Sequence, residues 1–241
     1  MGAYENDKLM FISRLETDTK RTEDQYAVEI KDIIEINGFS FKSVDSAAVC
    51  SVVPAVQVAV CRAIKKLCRI EPFVLTPKTK TELEIKIDAP LQIGADLIAG
   101  AVGAISKYTA PLIVIDMGTA TTVSVVSGKN EFLGGAISAG LRLSMEALTG
   151  GTAQLPMVAL TAPEKVISTN TVDCMCSGIV IGAAAMIDGM IDRINEELGT
   201  KCLAVATGGA SHEVIKNCRH DILIDDNLLL DGLKHIFDEN R

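Results

Sequence analysis

The densest group of chemically useful residues is Asp116-Met117-Gly118-Thr119-Ala120-Thr121-Thr122. A carboxylate ends an apolar run, and the glycine after it permits a tight turn. Hydroxyls and backbone amides of the next strand would then face the same point. Amides and hydroxyls bind an anion such as phosphate, while the carboxylate attracts a cation. No Lys stands where a Walker loop needs one, so this is a different motif. The same residues also read as a plain hairpin whose threonines are good strand formers. Two further glycine turns follow, Gly134-Gly135 through Gly140 and Thr207-Gly208-Gly209-Ala210. Each alone is an ordinary tight turn. Three of them at strand ends in one half of the chain suit a nucleotide site.

Asp96 stands between Gly94-Ala95 and the apolar Leu97-Ile98-Ala99. A carboxylate at the mouth of a buried helix either caps that helix or acts as a general base. Asp188 and Asp192 lie four apart on a helix and read as a solvated or ion-paired face. Arg62, Lys65, Lys66 and Arg69 form the single basic cluster and read the same way. With a net charge of −8 and no basic stripe, the chain does not have the make-up of a nucleic-acid protein. Its 7 cysteines are odd in number, Cys174-Met175-Cys176 is not a zinc knuckle, and the 3 histidines show no ligand spacing to them. Reduced thiols in a soluble, cytoplasmic protein are the expectation. The start, Met-Gly-Ala-Tyr-Glu-Asn, matches neither a signal peptide nor a myristoylation site. The apolar run from Gly178 to Ile187 is too short to span a bilayer.

These groups need elements to hold them. The chain has 241 residues, 48% hydrophobic and 22% charged, enough to bury a core without disulfides. Residues 8–16 read as a strand. Thr22-Glu23-Asp24-Gln25 is a capping box for a helix that stops at Asn37-Gly38. A buried strand over 44–53 leads to a helix opening at Pro54, then short strands at 73–75 and 83–87 and a buried helix over 97–105. The pattern then restarts with strands at 112–116, 119–126 and 131–137. Helices over 141–148 and 171–198 follow, then strands at 204–206 and 222–224 and a last helix over 228–237. Two successive strand-then-helix halves predict an α/β protein of two lobes, residues 1–109 and 110–241, with a cleft between them.

Taken in order, these motifs resemble the type III pantothenate kinases of the acetate and sugar kinase, Hsp70 and actin superfamily. The likeness rests on Gly94-Ala95-Asp96, Asp116 to Thr122, Gly134-Gly135 with Gly140-Leu-Arg-Leu, Asn170-Thr171-Val172, Ser177-Gly178, Thr207-Gly208-Gly209 and Leu228-Leu-Leu-Asp-Gly-Leu. The resemblance implies two ribonuclease-H-like, actin-like ATPase lobes and a homodimer. It implies ATP-dependent phosphorylation of pantothenate to 4'-phosphopantothenate, the first step towards coenzyme A. By the same resemblance Asp96 is the base, and Gly94, Ala95, Asp96, Leu97 and Thr171 bind pantothenate. Gly118, Thr119, Thr121, Gly135, Gly208 and Gly209 hold ATP, which arrives with Mg2+, and Asp116 holds K+ or NH4+. No nucleic acid or membrane partner is implied.

The chain departs from the family pattern in four places. Leu97 replaces an Arg, Ser124 an Asp and Ala139 a Pro, and the chain opens at Gly2-Ala3-Tyr4, after the point where the family places a buried strand and an Asp-x-Gly-Asn-Thr phosphate loop. The polypeptide as written is therefore expected to be a poor kinase. Either the native start lies further upstream and supplies that strand and loop, or the protein is a catalytically impaired paralogue that binds a ligand or regulates on the same fold.

Overall fold

Thr22 and Gln25 close the first helix reciprocally: Gln25 Oε1 accepts from the Thr22 amide at 2.8 Å, and Thr22 Oγ1 accepts from the Gln25 amide at 3.4 Å. The computed structural model describes residues 1–241, and by packing they form two units. The first holds Met1–Thr81, Ala89–Gly103 and Leu229–Arg241, and the second Glu82–Asp88 and Ala104–Leu228.

In the first unit, β1 (Gly2–Glu5) and β2 (Lys8–Ile12) pair antiparallel around Asn6 and Asp7, both at positive φ. That two-residue turn is a hairpin signal, and it replaces the single strand expected over 8–16. Helix α1 (Glu23–Ile36) follows, then β3 (Ala48–Val49), α2 (Pro54–Cys68) and β4 (Phe73–Val74). Strand β3 is much shorter than the expected 44–53 because it pairs on one side only, parallel to β4. Tyr26, Ile30 and Ile34 of α1 pack with Ala63 of α2, and Phe11, Ile64 and Leu67 surround them. The basic residues of α2 face outwards in ion pairs, Arg62 with Glu23 at 3.6 Å, Lys65 with Glu71 at 2.5 Å and Lys66 with Asp24.

Helix α3 (Ala95–Ile105) and the C-terminal α8 (Leu228–Glu239) complete this unit. Gly232 of α8 lies so close to α3 that any side chain there would run into the Ala99 carbonyl. The far end of α8 reaches β4, where the Phe237 and Phe73 rings meet edge-on at 5.7 Å. At its near end, Tyr4 Oη of β1 donates to Asp231 at 2.6 Å.

The second unit is built on a six-stranded sheet in the order β10-β9-β6-β7-β8-β5. Its members are β5 (Glu84–Ile85), β6 (Leu112–Met117), β7 (Ala120–Val126), β8 (Glu131–Ala139), β9 (Leu203–Thr207) and β10 (Ile222–Ile224). Strands β6, β7 and β8 form an antiparallel meander, and β9 and β10 extend it in parallel. This is the strand order of a ribonuclease-H-like lobe, so the α/β class stands. Strand β6 reads Leu-Ile-Val-Ile because it is buried on both faces, with Leu112, Ile113 and Ile115 at 0% exposure.

Helices α4 (Leu141–Gly151), α5 (Thr171–Cys176), α6 (Gly182–Leu198) and the short α7 (Ser211–Ile215) cover this sheet. A single π turn, Ser177–Ile181, joins α5 to α6. The continuous helix from Thr171 to Leu198 is 28 residues long with a window of mean hydropathy 1.8, enough by length and composition to cross a membrane. The apolar run is thus longer than the 178–187 read from sequence. Its Ile179, Val180, Ala184, Ile187 and Ile191 are spent on the core beneath β6 and β9. Asp188 and Asp192 clasp the loop after α7: Asp188 accepts from the Arg219 amide at 2.9 Å, and Asp192 pairs with His220 at 2.8 Å.

Candidate functional site

Strand pairing decides which hydroxyls share a face with Asp116. Asp116 sits opposite Thr122 on β7 and Thr207 on β9, and residues in register point to the same side of a sheet. Thr121 instead pairs with Met117 and is buried at 2% on the face packed against the helices. The two-residue period therefore puts Thr122, not Thr121, beside the carboxylate, where sequence reading had all the hydroxyls meeting at one point.

The turns around Asp116 come together tightly. Gly208 has φ +94°, and a Cβ there would stand 2.6 Å from Asp116 Oδ1 and 2.7 Å from the Met117 nitrogen. The Gly140 amide donates to the Thr119 carbonyl at 3.1 Å, and any side chain at Gly140 would strike the Gly118 and Thr119 carbonyls. The Gly118 amide closes its own turn on the Ala120 carbonyl at 3.0 Å, and the Ala210 amide reaches the Met117 carbonyl at 3.2 Å. Gly118, Thr119 and Gly209 are exposed at this sheet end. Gly135 lies further along β8, opposite Ser124. The result is a cluster of tight turns beside one carboxylate, whose exposed part, Gly118, Thr119 and Gly209, offers backbone to a phosphate chain and a weakly held cation.

In the other unit Asp96 occupies the first turn of α3, and its Oδ1 accepts from the Leu97 amide at 2.9 Å. The carboxylate lies over Gly94, leaving no room for a side chain there, with Val52 Cγ1 3.5 Å from the same point. That explains why glycine precedes Ala95-Asp96. Burial, followed by the Asp96 charge, pushes the Cys50 thiol up to about 12. Ala95 is buried beneath the turn, and Leu97 is half-buried.

Thr171 opens α5 and is exposed. Its helix is capped by Asn170, whose side chain accepts from the Asp173 amide at 3.0 Å. The approach to it, residues 152–170, is tied down at intervals. Glu213 accepts from the Ala162 amide at 2.6 Å, and Ser177 Oγ donates to the Val166 carbonyl at 2.8 Å. Arg142 is exposed on α4 and pairs with Glu146 at 3.6 Å.

A family model described as type III pantothenate kinase matches residues 1–193. The chain is 36% identical to a type III pantothenate kinase of Roseiflexus castenholzii over 241 residues, covering 100% of this chain and 94% of that one. It is 37% identical to one from Finegoldia magna over 244 residues, covering 100% and 93%. The chain belongs to the type III pantothenate kinase family.

Among solved structures, one described as a Baf family transcriptional activator from Campylobacter jejuni superposes with a TM-score of 0.59 at 20% identity. It covers 83% of this chain and 86% of that chain. That likeness concerns the fold alone.

For this type III pantothenate kinase family member, sequence reading grouped Thr122 with the other hydroxyls facing Asp116, but did not single out Thr207 as a neighbour of Asp116 or Cys50 as a neighbour of Asp96. The register that brings Thr207 to Asp116 joins strands about ninety residues apart. Only Thr122 was signalled locally, by strand alternation.

Proposed function

We propose that the chain transfers the γ-phosphate of ATP to pantothenate, forming 4'-phosphopantothenate and ADP for coenzyme A synthesis. The observation that carries the proposal is the cluster of tight turns beside Asp116, where Gly118, Thr119 and Gly209 are exposed, in a chain of this family. In the proposed step Asp96 takes the proton of the pantothenate hydroxyl. The freed oxygen bonds to the γ-phosphorus as the bond to the β-phosphate oxygen breaks, and ADP leaves. Such transfer needs positioning and charge neutralisation more than covalent help.

Gly94, Ala95, Leu97 and Thr171 are assigned to pantothenate, and Gly118, Thr119, Thr121, Gly135, Gly208 and Gly209 to the nucleotide. Thr121 has the weakest support of these, since its side chain faces the core. Mg2+ would come with the nucleotide. A single carboxylate flanked by Thr122 and Thr207 suits a monovalent cation, so Asp116 is assigned to K+ or NH4+, which would supply charge neutralisation at the phosphates. We place the protein in the cytoplasm as a homodimer. The buried α3 cannot serve as the dimer face, whereas Val166, Ile167 and Val172, at 67%, 86% and 45% exposure, offer an apolar surface at the start of α5.

Leu97, apolar beside the proposed base, favours a second reading in which the protein binds these ligands without turnover. The deciding experiment incubates the protein with ATP, Mg2+, K+ and pantothenate and follows 4'-phosphopantothenate. Formation supports the kinase. Folded protein that binds ATP yet forms no product supports the binding protein.

A further inference from the structure

The neighbours of Asp96 carry no positive charge. Cys50, Val52, Gly94 and Leu97 come from two segments of the first unit, Ser43 to Cys61 and Ala89 to Gly103, and neither segment holds a Lys, Arg or His. Asp45 and Asp96 are their only charged side chains. What stands beside the carboxylate is apolar. Val52 Cγ1 and the Asp96 carboxylate lie against the same point over Gly94. The Cys50 thiol, pushed up by burial, is also near enough to feel the Asp96 charge. Leu97 follows in the first turn of α3 and is half-buried. Val52 is 60% exposed, and Leu91, in the helical turn Pro90–Gln92 that leads to Gly94, is 65% exposed. The Ser51 hydroxyl is already engaged: it accepts from the Val53 amide at 3.0 Å and donates to the Val53 carbonyl at 3.2 Å.

Pantothenate has two unlike ends. Its reacting primary alcohol sits beside a carbon bearing two methyl groups, and its other end is a carboxylate. Leu97 and Val52 suit the first. For the second, neither segment supplies a cation, and a carboxylate taken from water without a partner is costly. A site that pairs its ligand's charge rejects the neutral analogue, because the site's own charge is then left unpaired. A site with no such partner loses nothing by the exchange.

We propose that Leu97 makes this alcohol site indifferent to the carboxylate. The substrate class is then the branched primary hydroxy-amide, and uncharged members, with an amide or an alcohol in place of the carboxylate, are accepted at least as well as pantothenate. This rests on the kinase reading with Asp96 as its base. The step itself is unchanged: the alcohol proton passes to Asp96, the oxygen bonds to the γ-phosphorus of ATP, and the bond to the β-phosphate oxygen breaks to release ADP. Only the far end of the substrate differs.

The test compares pantothenate with panthenol, in which a hydroxymethyl group replaces the carboxylate, and with pantothenamide, in which a primary amide does. Two readouts use the whole protein: kcat/KM with ATP, Mg2+ and K+, and the Kd of each compound from ligand-observed NMR. The neutral compounds should exceed the acid or fall short of it by no more than about fivefold, the upper worth of an exposed ion pair. Leu97→Arg should shift the preference towards pantothenate by about tenfold, the worth of a hydrogen bond to a charged group. If that variant does not fold, the ratios of the unaltered protein decide. Equal binding of all three compounds without turnover of any would remove the kinase reading and leave the selectivity standing. A preference for the acid beyond that margin in either readout, no binding of any compound, or an unshifted preference in folded Leu97→Arg would overturn the inference.

Discussion

Gly208 is held against the carboxylate of Asp116: a Cβ on Gly208 would lie 2.6 Å from Asp116 Oδ1, and the backbone there has φ +94°. The turn after β9 is therefore shaped around the acid at the end of β6. Gly208→Ala should cost about 2–4 kcal/mol of stability, from left-handed strain and the collision together. It should also lower ATP affinity. Urea unfolding and calorimetric ATP titration check the two effects, and an unchanged midpoint would contradict the close approach.

Asp96→Asn keeps the shape of the side chain and its contact with the Leu97 amide but removes the base. Turnover should fall by about 10²–10⁴-fold while ATP affinity stays the same. A variant that keeps its rate would remove Asp96 from the chemistry.

If Asp116 holds a monovalent cation, turnover should rise with K+ or NH4+ and not with Na+ alone. Asp116→Asn should abolish that dependence. Initial rates across the three chloride salts at constant ionic strength provide the check.

Cys50 should set part of the alkaline limit of stability. Its thiol is raised from 9.0 to about 12 in the fold by burial and then by Asp96. Below pH 9 both folded and unfolded forms keep the proton and stability is flat in this group. Between pH 9 and 12 the unfolded chain binds fewer protons, so stability falls as pH rises, by up to about 1.4 kcal/mol per pH unit. Cys50→Ala should flatten that limb relative to the unaltered protein, and denaturation midpoints at pH 8, 9 and 10 will show it.

Thr22→Ala removes one half of the capping box of α1 and should cost about 1 kcal/mol. The loss should be read as a lower urea midpoint with an unchanged slope.

Much of the scaffold was legible locally. The capping box at Thr22, Pro54 at the head of α2 and the alternation of β7 and β8 each carry their own signal within a few residues. What escaped notice depends on distant partners. Strand β3 looks ten residues long in sequence, but only two residues have a neighbour to pair with. The hairpin at Asn6-Asp7 was missed although its turn signal was present. The five-residue α7 is too short for periodicity to show it. At the candidate site, the glycine turns were visible as types, whereas the choice of Thr122 over Thr121 needed the register.

The first unit takes its last helix from the far end of the chain. Tyr4 meets Asp231, and Phe73 meets Phe237, so Tyr4 waits for a partner made more than two hundred residues later. At roughly 5–20 residues per second of synthesis, more than two hundred residues amount to about ten to forty seconds. Through that interval the nascent hairpin β1-β2 has no α8 to rest on. The second unit is complete as soon as Leu228 has emerged and can mature on its own schedule. The second unit can therefore finish folding before the first, which waits for the residues of α8.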